Sequence, residues 1–266
     1  MVFLYNKTHI GFSHINQKSP CQDYSNIFTN NKFSIITACD GHGGNLYFRS
    51  DKGSKLASKA VIEVLNTYSI RKLHKIIKNQ QLNKLKLEIL CKWNELIEQD
   101  YSLKHFSKKE LEKLNEEDLF KLSNNYIYAY GTTMNAAILT NKYIVCIQIG
   151  DGGSYLISED KIELVFPEND ENVANITNSM CSDKAFDNIY IKAVQKHYYN
   201  GVLICTDGLL TPYQTYENFK DNFIVPYINN FKHISIESII SMNDFIKKLG
   251  LEIGTGDDVS VASILY

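Results

Sequence analysis

Between residues 133 and 166 four apolar runs follow one another with only turn residues between them, and that spacing implies an antiparallel meander. The runs cover residues 133–139, 143–149, 154–158 and 162–166, with Thr140-Asn141-Lys142 and Gly150-Asp151-Gly152-Gly153 turning the chain between the first three. A hairpin is expected earlier as well: residues 24–28, a Thr29-Asn30-Asn31-Lys32 turn, then residues 33–39. Further strands are read at 189–194, 201–205 and 259–266.

Helices interrupt these strands. Leu56, Ala57, Ala60, Val61, Val64, Leu65 and Tyr68 recur at the three-and-four spacing of an amphipathic helix, one that should lie on the sheet. Residues 82–103 repeat the period through Leu85, Ile89, Trp93, Leu96 and Ile97, and residues 236–249 fit another core-facing helix. The lysines of residues 72–92 read as one solvated helix face, residues 107–125 as a solvated helix or loop, and the polar stretch 167–187 as a flap or irregular connection. Strand runs separated by helix pairs predict an α+β fold: two antiparallel β-sheets packed as a sandwich and flanked by helices, a four-layer αββα arrangement. With neither a repeat nor a linker, residues 1–266 are expected to form one domain.

A hydrophobic fraction of 44% and a charged fraction of 22% allow a full core and argue against disorder. The net charge of −2 supplies no field that would draw the chain to nucleic acid or an anionic membrane, so neither is expected as a partner. Arginine occurs only at Arg49 and Arg71, which removes most bidentate phosphate readers. The six cysteines form no CxxC pair and are read as reduced core residues. Without a signal-like N-terminus or a run of about 18 apolar residues, the expectation is a cytoplasmic monomer.

Four aspartates share one setting: Asp40 ends the run 34–39, Asp151 the run 144–150, Asp207 the run 202–206, and Asp257 precedes the run 259–264. Strand ends can converge on one edge of a sheet, where gathered carboxylates repel unless cations neutralise them. Oxygen-only ligands suit Mg²⁺ or Mn²⁺ and not zinc. Glycine follows three of the four, permitting the close backbone approach or positive φ that an ion site needs. The sequence Asp40-Gly41-His42-Gly43-Gly44 adds a titratable imidazole two residues beyond a carboxylate.

The ordered series Gln22-Asp23, Asp40-Gly41-His42-Gly43-Gly44, Gly131-Thr132-Thr133, Gly150-Asp151-Gly152, Thr206-Asp207-Gly208-Leu209 and Gly256-Asp257-Asp258-Val259-Ser260 resembles the type 2C metal-dependent protein serine/threonine phosphatases, in a diverged prokaryotic branch. The likeness implies two sheets packed face to face with helices outside, and two Mn²⁺ or Mg²⁺ ions sharing a nucleophilic water. It implies that Asp40 bridges both metals, that Gly41 offers its carbonyl, that Asp207 and Asp257 complete the set, and that Asp23 holds a metal or its water. Asp151 resembles the ligand of a weaker third ion, and His42 the general acid that protonates the departing alkoxide. The implied substrate is a phosphorylated protein.

Lys18 and Gln22 stand where many members have Arg and Glu, so Lys18 or His14 is the candidate phosphate contact and Gln22 a partner of metal-bound water. Asp258 stands where Asn is common and Thr211 where a further acidic ligand is frequent, while Thr132 and Thr133 are read as structural. Two other readings stay open: a pseudophosphatase that binds without turnover, and a phosphomonoesterase for small molecules.

Overall fold

A computed structural model describes residues 2–166 and 177–266. Ten strands build two sheets: β1 (Phe3–His9), β2 (Tyr24–Thr29), β3 (Ser34–Cys39), β4 (Met134–Leu139), β5 (Tyr143–Ile149), β6 (Gly153–Ile157), β7 (Ile162–Leu164), β8 (Tyr190–Gln195), β9 (Gly201–Cys205) and β10 (Val259–Leu265). One sheet has the order β1-β10-β9-β6-β7 and the other β2-β3-β4-β5-β8, every pairing antiparallel. The expected hairpins are present, with Tyr24 opposite Cys39 and Met134 opposite Ile149.

Alternation along each strand feeds three apolar layers, because successive side chains point to opposite faces. In β3, Ile35 and Cys39 face the helices while Ile36 and Ala38 face the other sheet. In β9, Leu203 and Cys205 face the opposite helical layer, and Val202 and Ile204 meet Ile36 and Ala38 between the sheets. The sandwich is therefore buried on both faces of both sheets, which is why its central strands read as continuous apolar runs.

The helices are α1 (Phe12–Gln17), α2 (Ser50–Asn66), α3 (Ile70–Lys78), α4 (Asn83–Leu103), α5 (Lys108–Leu111), α6 (Glu116–Asn124), α7 (Ala185–Asn188), α8 (Asp207–Leu210), α9 (Tyr216–Phe219), α10 (Val225–Asn230) and α11 (Ile236–Lys248). Helices α2 and α4 cover one sheet; α9 to α11 cover the other. The Trp93 indole donates to the Gly53 carbonyl at 3.1 Å, fixing α4 against α2. No described helix is long and apolar enough to cross a membrane.

One expectation needs correction. The lysine stretch is not one solvated helix face: it divides into α3 and α4, and Lys86 is buried with its ammonium 4.8 Å from the Phe186 ring centre. Residues 107–125 form two short, largely exposed helices capped by Ser107 and Asn115, as expected of a solvated stretch. Arg49, only 2% exposed, ties the first of them and the loop before it to the core: its Nε donates to Glu110 at 3.0 Å, and its other nitrogens reach the Lys104 carbonyl at 2.8 Å, the His105 carbonyl at 3.1 Å and the Tyr130 hydroxyl at 2.7 Å. Of the expected flap, residues 167–176 lie outside the described residues. Its remainder is anchored, with the Met180 amide donating to Thr132 at 2.9 Å and α7 closing the segment. All six cysteines are free; Cys39, Cys146, Cys181 and Cys205 are buried as expected of core thiols, but Cys21 is only half-buried and Cys91 is exposed on α4.

Candidate active site

The register of the strands brings the aspartates to one end of the sandwich. Asp23 precedes β2, Asp40 follows β3, Asp151 sits in the β5–β6 turn, Asp207 begins α8 just beyond β9, and Asp257 precedes β10. Because Tyr24 pairs with Cys39, Gly153 with Cys205, and Val261 with Cys205, all five positions fall on the same edge. Ligand atoms of Asp40, Asp151 and Asp207 lie within 4.8 Å of one another. Asp23 is 3% exposed, accepts from the Thr206 hydroxyl at 2.8 Å and lies close enough to Asp40 for the two carboxyls to perturb each other. Asp257 is near enough for its charge to act on both Asp40 and Asp207.

Such crowding has a measurable electrostatic signature. Burial pushes the Asp23 carboxyl up to about 8, with Asp258 and Asp207 adding to the effect while the hydrogen bond from Thr206 opposes it. Burial, then the charges of Asp151 and Asp257, bring Asp207 up to about 7, and Asp40 and Asp257 are raised in the same direction. Desolvated carboxyls gathered this closely repel one another, so the cluster favours protons unless cations replace them. The donor set fits hard divalent ions: carboxylate oxygens plus the Gly41 carbonyl, which accepts no hydrogen bond among the described residues.

The loop after β3 is clamped by the Gly131-Thr132-Thr133 segment. Thr132 donates its hydroxyl to the Asp40 carbonyl at 2.7 Å, Thr133 donates its amide to the same oxygen at 2.8 Å, and the Asp40 amide donates to the Thr133 hydroxyl at 3.1 Å. Both threonines are buried, consistent with their structural reading. The glycines after the aspartates serve close approach and not positive φ: a Cβ on Gly41 would meet the Ser50 carbonyl oxygen at 2.6 Å, and one on Gly208 the Asp258 carbonyl oxygen at 2.0 Å. Left-handed backbone falls instead on Gly44, Gly150 and Gly256.

The other candidates are placed less uniformly. Gln22 does not aim its amide nitrogen at the cluster; it donates to the His42 carbonyl at 3.0 Å and to Ser50 at 2.5 Å, fixing the loop. Asp258, 2% exposed, accepts from the backbone amides of Gly11 at 2.7 Å and Gln22 at 2.6 Å, so it ties the entries of α1 and β2 to the start of β10. His14 turns toward it, Nδ1 lying 2.8 Å from Asp258 Oδ1 but off the line a hydrogen bond needs. Lys18 caps α1 at φ 54° and is exposed, with no ion pair among the described residues. Asp151 is exposed and accepts from Thr177 at 2.7 Å. His42 is half-buried; burial lowers its pKa, and the Asp151 carboxylate offsets that only in part.

Sequence reasoning gave no role in the site to Arg49, Ser50, Tyr47 or Thr206, all of which touch its supports. Only Thr206 carried a signal, as the residue before an Asp-Gly pair; Arg49 was noticed solely for its rarity.

The same fold is found in bacterial protein phosphatases. The serine/threonine phosphatase Stp1 from Staphylococcus aureus superposes with a TM-score of 0.63 at 19% identity over 100% of this chain and 95% of that one. The catalytic domain of the serine threonine protein phosphatase PstP, solved in complex with two manganese ions, gives 0.61 at 14% identity over 99% and 97%. PppA, a regulatory component of T6SS in Pseudomonas aeruginosa, gives 0.60 at 15% over 99% and 97%. Two five-stranded sheets with a carboxylate cluster at one end thus make the chain similar in fold to these serine/threonine phosphatases. Residues 10–239 match the family model described as protein phosphatase 2C, and the chain belongs to that family. No curated protein sequence matches it significantly.

Proposed function

We propose that this chain, as one catalytic unit over residues 1–266, hydrolyses phosphoserine and phosphothreonine in protein substrates with Mn²⁺ or Mg²⁺ held at its carboxylate edge. The convergence of Asp40, Asp151 and Asp207 above the buried Asp23 carries the reading. Asp40, the Gly41 carbonyl, Asp207 and Asp257 are the proposed ligands of two ions, Asp23 supports Asp40 from below, and Asp151 serves a weaker third. When bound, the cations supply a water acidic enough to deprotonate near neutral pH and screen the phosphoryl charge.

The chain's own side chains do the rest. His42 delivers the proton to the departing serine or threonine oxygen, a contribution of about 10²–10⁴ in rate. Lys18 keeps an uncommitted ammonium for the phosphate, whereas the His14 ring is turned to Asp258. Gln22 and Asp258 act through the backbone, holding the loops that carry His42, Asp23 and Asp257.

Turnover of p-nitrophenyl phosphate and of a phosphoserine peptide, each in Mn²⁺ and in EDTA, tests the reading. Both should require the metal. Absence of Mn²⁺ binding in a calorimetric titration would favour a pseudophosphatase, and turnover of nucleotides or sugar phosphates without phosphopeptides would favour a small-molecule enzyme.

A further inference from the structure

A proton donor works only if its ring is aimed, and aiming usually comes from a hydrogen bond to the far nitrogen. The His42 ring has none among the described residues: the loop is held by its backbone, with the His42 amide donating to Gly131 at 3.0 Å and its carbonyl accepting from Gln22 at 3.0 Å. What touches the imidazole is carbon. The Tyr47 ring lies edge-on to it, with centroids 5.1 Å apart and planes at 68°. Behind both rings stands the backbone of Gly131, where an added Cβ would sit 2.5 Å from Tyr47 Cδ1 and 2.9 Å from His42 Cδ2.

Tyr47 is itself fixed. It ends the 3-10 turn Asn45–Tyr47, its amide donates to Gly44 at 3.2 Å, and two residues on the Arg49 amide donates to Ala129 at 2.8 Å. Its hydroxyl makes no hydrogen bond among the described residues, so the flat ring is the part in use.

We propose that Tyr47 is a positioning residue, its ring and the glycine backbone at 131 forming a wall that sets the angle of the His42 imidazole toward the leaving oxygen. The inference rests on His42 being the proton donor. Edge-to-face packing restricts ring rotation without charge, which leaves both nitrogens free to exchange protons. Misplacing a reacting group by about 1 Å can cost on the order of 10²-fold.

The test compares two substrates in saturating Mn²⁺: p-nitrophenyl phosphate, whose weakly basic leaving group departs without a proton, and a phosphoserine peptide, whose alkoxide needs one. The readout is the ratio of their kcat values in the wild type, His42→Ala, Tyr47→Ala, Tyr47→Leu and Tyr47→Phe. His42→Ala should lower the peptide-to-aryl ratio by about 10² or more. Tyr47→Ala and Tyr47→Leu should lower it about 10-fold to 10²-fold, with Tyr47→Leu standing in if the alanine variant does not fold, and Tyr47→Phe should hold it near the wild-type value.

A general loss of structure depresses both substrates together and leaves the ratio alone, so an unchanged ratio in the two Tyr47 truncations overturns the proposal. So does a fall in Tyr47→Phe equal to that in Tyr47→Ala, since the hydroxyl would then be the active part. If His42→Ala itself spares the ratio, the proton-donor assignment fails first and the positioning role with it.

Discussion

Asp207→Asn is expected to abolish divalent-cation-dependent turnover while making the chelated protein more stable. The loss should exceed the roughly 10–100-fold typical of removing an outer partner of a metal site, because Asp207 is a proposed ligand itself. The gain comes from repulsion. Burial and neighbouring carboxylates raise Asp23 to about 8 and Asp207 to about 7, both from 3.8. A carboxyl raised in the folded state contributes stability that is fully present below its unfolded value and is lost as pH rises through the folded value. In EDTA the wild-type melting temperature should therefore fall between about pH 5 and pH 8, by on the order of a few kcal/mol in free energy. Mn²⁺ should reverse the fall by binding the folded state. Asp207→Asn should flatten this decline. Melting curves across that range decide it, and a wild-type profile in EDTA that is level or climbs with pH would remove the case for a crowded, desolvated cluster.

Arg49→Ala should cost about 3–5 kcal/mol, among the larger effects of a single substitution in this fold. The guanidinium fills a space lined by Phe106, 4.7 Å from its carbon, and supplies donors to two backbone carbonyls, a carboxylate and a hydroxyl. Truncation leaves those acceptors behind and opens a void. Arg49→Lys keeps the charge but not the planar fork, and should recover only part of the loss. Burial alone would raise Glu110, yet the hydrogen bonds from Arg49 and Ser107 outweigh it and bring the carboxyl down to about 2. Stability from that pair is present above the unfolded carboxyl value and disappears as pH falls toward 2, so the two variants should lose less than the wild type on acidification. Urea midpoints measure both effects; a midpoint like the wild type for Arg49→Ala would mean the network adds no net stability.

The strands were legible because each central one is apolar on both faces and stops at a turn residue, so its limits are marked on either side. The acidic edge was legible for a related reason: aspartates at strand ends stand out against the runs they close. Other features depend on contacts that no local pattern announces. Helix α1 is six residues long and buries none of them, so it has no apolar period to read. Residues 216–230 pass from α9 through a π-helical turn, Lys220–Ile224, into α10, a change of pitch that blurs the helical spacing. Nothing local marks Arg49 as buried; its burial is set by acceptors more than 50 residues away, the Lys104 and His105 carbonyls and Glu110. Gln22 was expected beside the metals, but the Ser50 hydroxyl and His42 carbonyl claim its amide nitrogen.

Strand β10 lies between β1 and β9, with Leu4 paired to Ile264, so the first strand waits for the last before its sheet can close. Asp257 stands at the head of that late strand. During synthesis a nascent chain can fold the β2–β3 hairpin and the meander early, but it cannot bring Asp257, a proposed ligand, to the acidic edge until residues 257–265 have emerged and inserted. Partial products of translation would thus carry no phosphatase activity, a safeguard arising from strand order alone.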